Sequence, residues 1–202
     1  MKKKVFSIIF IINGIYYLFA EFISILNIKN KASSYIRNTI SELGMPTSPL
    51  YILMNSAFIL TGILFFIAYI NLFKFNNKIK KYIGLFFALM LSIGSIMVGI
   101  FHSVEIATSF FHQIGTISVF AGGNLLILFI GLFYNKTPYS KICTILGTLG
   151  IWGGIMVIFS TIYGYTKFIP LLERMTVYPI ILFQIITGIH FIIEKSTIII
   201  NY

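Results

Sequence analysis

The chain has 202 residues, of which 58% are hydrophobic, 17% aromatic and only 10% charged, with a mean hydropathy of +0.96. That excludes an ordinary soluble domain, where apolar residues make up nearer half of the chain, because six buried core helices need matching polar surfaces that this composition does not offer. The formal net charge of +10 points to anionic lipid headgroups rather than nucleic acid, since the basic residues flank apolar runs instead of forming one patch.

The first run is Val5–Ile28, preceded by Lys2, Lys3 and Lys4 and interrupted by a single acid, Glu21. It is too long for a signal core and no clear small-x-small cleavage site follows, so it reads as an uncleaved first span. After it come the polar stretch RNTISELGMPTSPL (37–50) and then Leu50–Phe73, Tyr82–Phe101, Gln113–Tyr134, Ile142–Thr166 and Met175–Ile193. None of the six runs contains Lys, Arg or Asp, and each is 19 to 25 residues long. A helix rises about 1.5 Å per residue and a bilayer core is about 30 Å thick, so each run is long enough to cross. The expected fold is all-α: one polytopic membrane domain over 1–202, a bundle of six transmembrane helices.

Basic residues orient the bundle. With the N-terminus inside, ten of the 15 Lys and Arg, from Lys2 to Lys195, fall on the cytoplasmic side, and five (Lys29, Lys31, Arg37, Lys167, Arg174) fall on the other. The expectation is a multi-pass protein of the cell membrane with both termini cytoplasmic. The outer connections are then 29–49, 102–112 and 167–174, and they carry nearly all the side chains capable of chemistry. All five acids are glutamates, and only Glu194 faces the cytoplasm.

Polar groups in hydrocarbon need partners, which predicts an outward-facing polar pocket capped by the first long loop. Its candidate members are Glu21, Arg37, Ser41, Glu42, Asn55, Glu105, His112, Asn124, Glu173, Arg174 and Tyr178. Glu21 lies in the outer third of its span; it is either a proton or ligand site, a structural partner of Arg37 or Arg174, or a side chain that snorkels to the interface. His102 and Glu105 share one face if their segment is helical. With His112 they still lack the HExxH or clustered His/Cys pattern of a zinc site, so no metal and no cofactor is expected. Ser41 has no G-x-S-x-G context for acyl chemistry. His190 and Glu194 suit a local helix contact, Cys143 a small buried hydrophobe, and the glycines of GTLGIWGGI (147–155) close helix packing within the monomer. The run ERMTVYP (173–179) reads as interfacial, with Tyr178 in an aromatic belt.

The blocks RNTISELG, SPL, LMNSAFI, VGIF (98–101), His112 followed by Gly115-Thr116, GGN (122–124) and ERMTVYPI occur in that order. Together they resemble the bacterial six-span membrane proteins of domain-of-unknown-function family 998, over essentially the whole chain. The resemblance implies motif residues mostly on one membrane face, the face that the charge bias identifies independently, and it brings no assigned activity. His102 stands where the family pattern has proline after G-I-F, which favours His112 for any family-wide role.

The leading functional expectation is a binding or accessory membrane protein whose partners are membrane lipids. Its outer pocket would take a lipid headgroup or small molecule, with Arg37 and Arg174 available for phosphate or carboxylate. Second is a membrane-embedded enzyme acting on lipid at the outer leaflet, with Glu42 or Glu105 and His112 as acid and base. Third is a small transporter coupled through Glu21, although no inverted repeat or matched broken helices are visible.

Overall fold

The computed structural model describes residues 2–28, 35–102, 106–134, 137–194 and 199–200. The candidate Glu105, together with Lys29, Lys31, Lys136 and Lys195 of the charge count, lies outside the described residues. Six helices are long and apolar enough to cross a membrane: α1 (Lys2–Leu26), α2 (Tyr51–Leu72), α3 (Lys78–Ile100), α4 (Ile106–Phe133), α5 (Pro138–Ile162) and α6 (Ile169–Ile193). They are apolar on both faces, as in a bilayer-buried bundle: Phe22 (60% exposed) and Trp152 (57%) point outward while equally greasy residues fill the inside.

Several helices begin before the apolar runs do, because capping groups and long side chains start them in polar sequence. Asn77 accepts from the Lys80 backbone N–H at 3.1 Å to open α3. Thr137 and Ser140 form a capping box ahead of α5, with Pro138 in its first turn. The largest shifts are on α4 and α6. His112 is a helix residue, two turns into α4, and the expected loop 167–174 is mostly helix, formed by the 3₁₀ turn Thr166–Phe168 and the start of α6. Glu173, Arg174, Tyr178 and Pro179 therefore sit within α6, and none of them opens it.

Each helix packs on the next, α6 closes on α1, and α4 also touches α6 across the ring. One face of the bundle carries the start of α1 and residues 73–77, 134, 137 and 194; the opposite face carries 27–28, 35–50, 101–102 and 163–168. A two-residue parallel pairing of β1 (Lys74–Phe75) with β2 (Ile199–Ile200) ties the C-terminal segment to the first face.

The two halves of the interior differ. The first-face half is filled by stacked and edge-on rings of Phe10, Phe65, Tyr69, Phe73, Phe183 and Phe191, with centroids 5.2 to 6.4 Å apart. Cys143 packs there as a buried small residue. In the second-face half the helices leave room, and the polar connection fills it. Ile40 (1% exposed), just before the 3₁₀ turn Ser41–Gly44, and Leu43 (0%) within it pack into a cluster with Tyr17, Met54, Phe58, Val98 and Val177 of the surrounding helices. This connection is a plug driven in by two apolar side chains.

Candidate functional site

The plug is held by its own sequence and by α6. Thr39 and Glu42 exchange hydrogen bonds as a capping box does: Thr39 N–H donates to Glu42 Oε2 at 2.9 Å, and Glu42 N–H donates to Thr39 Oγ1 at 3.1 Å. The next two amides are taken by Glu173, whose Oε2 accepts from Ile40 N–H at 2.6 Å and Oε1 from Ser41 N–H at 3.3 Å. Asn55 secures the far end, its Nδ2 donating to Gly44 O at 2.9 Å and to His102 Nε2 at 2.8 Å.

Beside this lies the ion pair. Arg174 Nε donates to Glu21 Oε1 at 2.8 Å, with both side chains 3% exposed. Nη1 of Arg174 donates to Asn38 O and Pro170 O, and the guanidinium carbon sits 4.1 Å over the Tyr35 ring. Tyr178 O–H donates to the same Glu21 oxygen at 3.2 Å and is in turn hydrogen-bonded to Tyr35. The choice left open for Glu21 is thus resolved in favour of Arg174, while Arg37 is exposed and forms no ion pair among the described residues. Tyr178 is a half-buried member of this cluster, its hydroxyl joining Glu21 to Tyr35.

Next to the plug a cavity of about 620 Å³ opens between α4 and α5. Its origin is a wedge set by side-chain size. Near the first face α4 and α5 touch almost backbone to backbone: a Cβ at Gly147 would stand 2.6 Å from Leu128 N, and one at Gly131 2.5 Å from Thr144 N. Farther along, α5 leans on α6 through Gly153 and Thr176, and a Cβ at Gly154 meets nothing closer than 3.6 Å. There α4 and α5 part. The opened walls are apolar (Ile117, Phe120, Leu125, Ile155, Ile158), and Ile117, Ile155 and Ile158 are at least half exposed. The end beneath the plug is polar, lined by Thr39, Ser41, Glu42, His112, Thr116 and Glu173. A smaller interior void of about 30 Å³, large enough for a water, lies on the other side of Ser41, Thr116 and Glu173.

The candidates therefore divide. Ser41, Glu42, His112 and Glu173 meet at one groove, whereas Glu21, Arg174 and Tyr178 form a buried brace beside it. Asn124 is fully buried below the groove, its Nδ2 donating to Phe120 O and Thr176 O, where it seals the seam of α4 with α6. Neither arginine lines the groove, so the phosphate-binding role expected of them has no geometric support. His190 and Glu194 make the expected local contact at 3.2 Å, far off on the first face and joined by Tyr134, whose phenol burial pushes well above its ordinary range.

Sequence reasoning passed over Tyr35, Asn38, Thr39 and Thr116. The T-x-x-E of residues 39–42 was a readable signal for the first turn of the plug; nothing local marks Tyr35 or Thr116, whose roles depend on α6 and α5. In comparisons with known proteins, a family model described as Protein of unknown function (DUF998) matches residues 13–190. No curated protein matches the chain, and no solved structure does.

Proposed function

The chain belongs to the DUF998 family, a membership that carries no activity, and from its own geometry we propose that this multi-pass membrane protein binds a membrane amphiphile in the groove between α4 and α5. One observation carries the reading: the groove is polar at the plug, apolar along its length, and walled by isoleucines of two membrane-spanning helices that stay exposed. Its volume lies within the about 300–1,000 Å³ of typical small-ligand sites. A lipid-like molecule would enter sideways, its tail replacing bilayer contacts with Ile117, Ile155 and Ile158 and its head reaching Glu42 and His112. By the charge bias of the connections, the plug face is the outer one.

Native mass spectrometry of protein released in mild detergent should show a lipid-sized adduct on the natural chain. Gly154→Leu should remove it: the new Cβ has room, and the remaining carbons occupy the groove. An adduct that persists in this variant counts against the site. A second reading, an enzyme acting on lipid, is favoured by Glu42 and His112 lining the same groove, as an acid–base pair would. It predicts altered lipid species on expression that revert with His112→Ala.

A further inference from the structure

Resting on the groove reading, we infer that the head of the bound amphiphile is a protonated amine, held by Glu42 and His112. The argument starts from what is already satisfied. Glu173 spends both oxygens on the plug's backbone N–H groups, which fixes its carboxyl group behind the polar end and leaves Glu42 as the open acid. Glu42 uses Oε2 for Thr39 N–H and Asn38 Nδ2, and its Oε1 has no protein donor among the described residues.

His112 adds an independent observation. It is 8% exposed, and its Nδ1 lies 2.8 Å from the carbonyl of Phe101. A carbonyl oxygen only accepts, so Nδ1 carries the hydrogen and Nε2 of the neutral ring is left as an acceptor. That nitrogen has no protein partner among the described residues, although the ring lines the groove. The polar end thus presents two open acceptors, Glu42 Oε1 and His112 Nε2, the first of them on a carboxylate.

Among the described residues no Lys or Arg lines the groove. Of the two arginines, Arg174 is matched by Glu21 at 2.8 Å, and Arg37 is exposed and outside the groove lining. A phosphate or carboxylate head would enter against the charge of Glu42 with only neutral donors (Ser41, Thr116, Gln113) to compensate its desolvation, which is costly in a site of low polarity. A hydroxyl would find acceptors but forgo the charge attraction. An ammonium supplies N–H donors in several directions and the opposite charge, the stronger kind of hydrogen bond. Its alkyl tail lies along Ile117, Phe120 and Ile158.

The test uses purified full-length protein in a neutral detergent, following thermal unfolding with dodecylamine, dodecyl phosphate or dodecanol added at pH 7. Dodecylamine should raise the melting temperature, with dodecyl phosphate and dodecanol giving little. Glu42→Gln should weaken the dodecylamine effect about tenfold or more, each variant being compared with its own unliganded baseline. Stabilisation by dodecyl phosphate or dodecanol equal to that by dodecylamine overturns the amine head and leaves the groove standing. If no probe stabilises, or if Gly154→Leu leaves the shift untouched, the groove reading itself fails. The head-group comparison is made on the natural chain, so it holds even where Glu42→Gln does not fold.

Discussion

At the residue scale, the costliest feature of the molecule is the buried Glu21–Arg174 pair. Two charges withdrawn from water return their desolvation only while both are present and hydrogen-bonded. Arg174→Met should therefore destabilise the protein by about 3–5 kcal/mol, because it strands a buried carboxylate. Glu21→Leu combined with Arg174→Met should recover most of that loss, since an apolar pair of similar bulk has no charge to desolvate. Melting temperatures of the two variants in detergent check this; equal losses would mean that the Arg174 contacts with Asn38 and Tyr35, not the ion pair, hold the plug. Composition already showed that Glu21 needed a partner. Which arginine served was not legible, because 153 positions separate Glu21 from Arg174 and only the closure of α6 on α1 joins them.

Among the elements, the wedge between α4 and α5 decides where a ligand can sit, and it depends on two glycines of one motif doing opposite things. Gly147 allows contact with the Leu128 backbone, whereas a Cβ at Gly154 would make only ordinary contact, 3.6 Å from Thr176. Gly147→Val should thus cost about 1–3 kcal/mol by overpacking, while Gly154→Ala should leave the melting temperature nearly unchanged. Thermal unfolding of both variants separates a packing seam from a groove wall. The GTLGIWGGI pattern announced close packing correctly but not that Gly154 would be spared it, because the lean of α5 is set by Thr176 on another helix. Helix starts show a similar division. Hydropathy located every span, but α6 begins at Ile169 and not near Met175, since Pro170 suits a first turn and buried Glu173 and Arg174 find partners in the plug.

For the whole molecule, the open question with the sharpest test is which face looks outward. Thr47 is exposed on the plug and the natural Cys143 is buried, so Thr47→Cys provides one reactive thiol. A membrane-impermeant maleimide should label it in intact cells. Labelling that appears only after permeabilisation would reverse the orientation and place the groove's polar end at the cytoplasmic leaflet.

The sequence by itself determined the number of spans, the family, the even count that returns both ends to one face, and the crowding of polar residues on the other. These follow from composition along the chain, and hydrocarbon thickness converts composition directly into span length. Only the tertiary structure decided that Ile40 and Leu43 turn the longest connection inward. It also separated the polar residues into a brace around Glu21 and Arg174 and a groove around Glu42 and His112. The physical reason is common to both: burial and pairing depend on which helices are neighbours across the ring, and no local pattern in the chain encodes that adjacency.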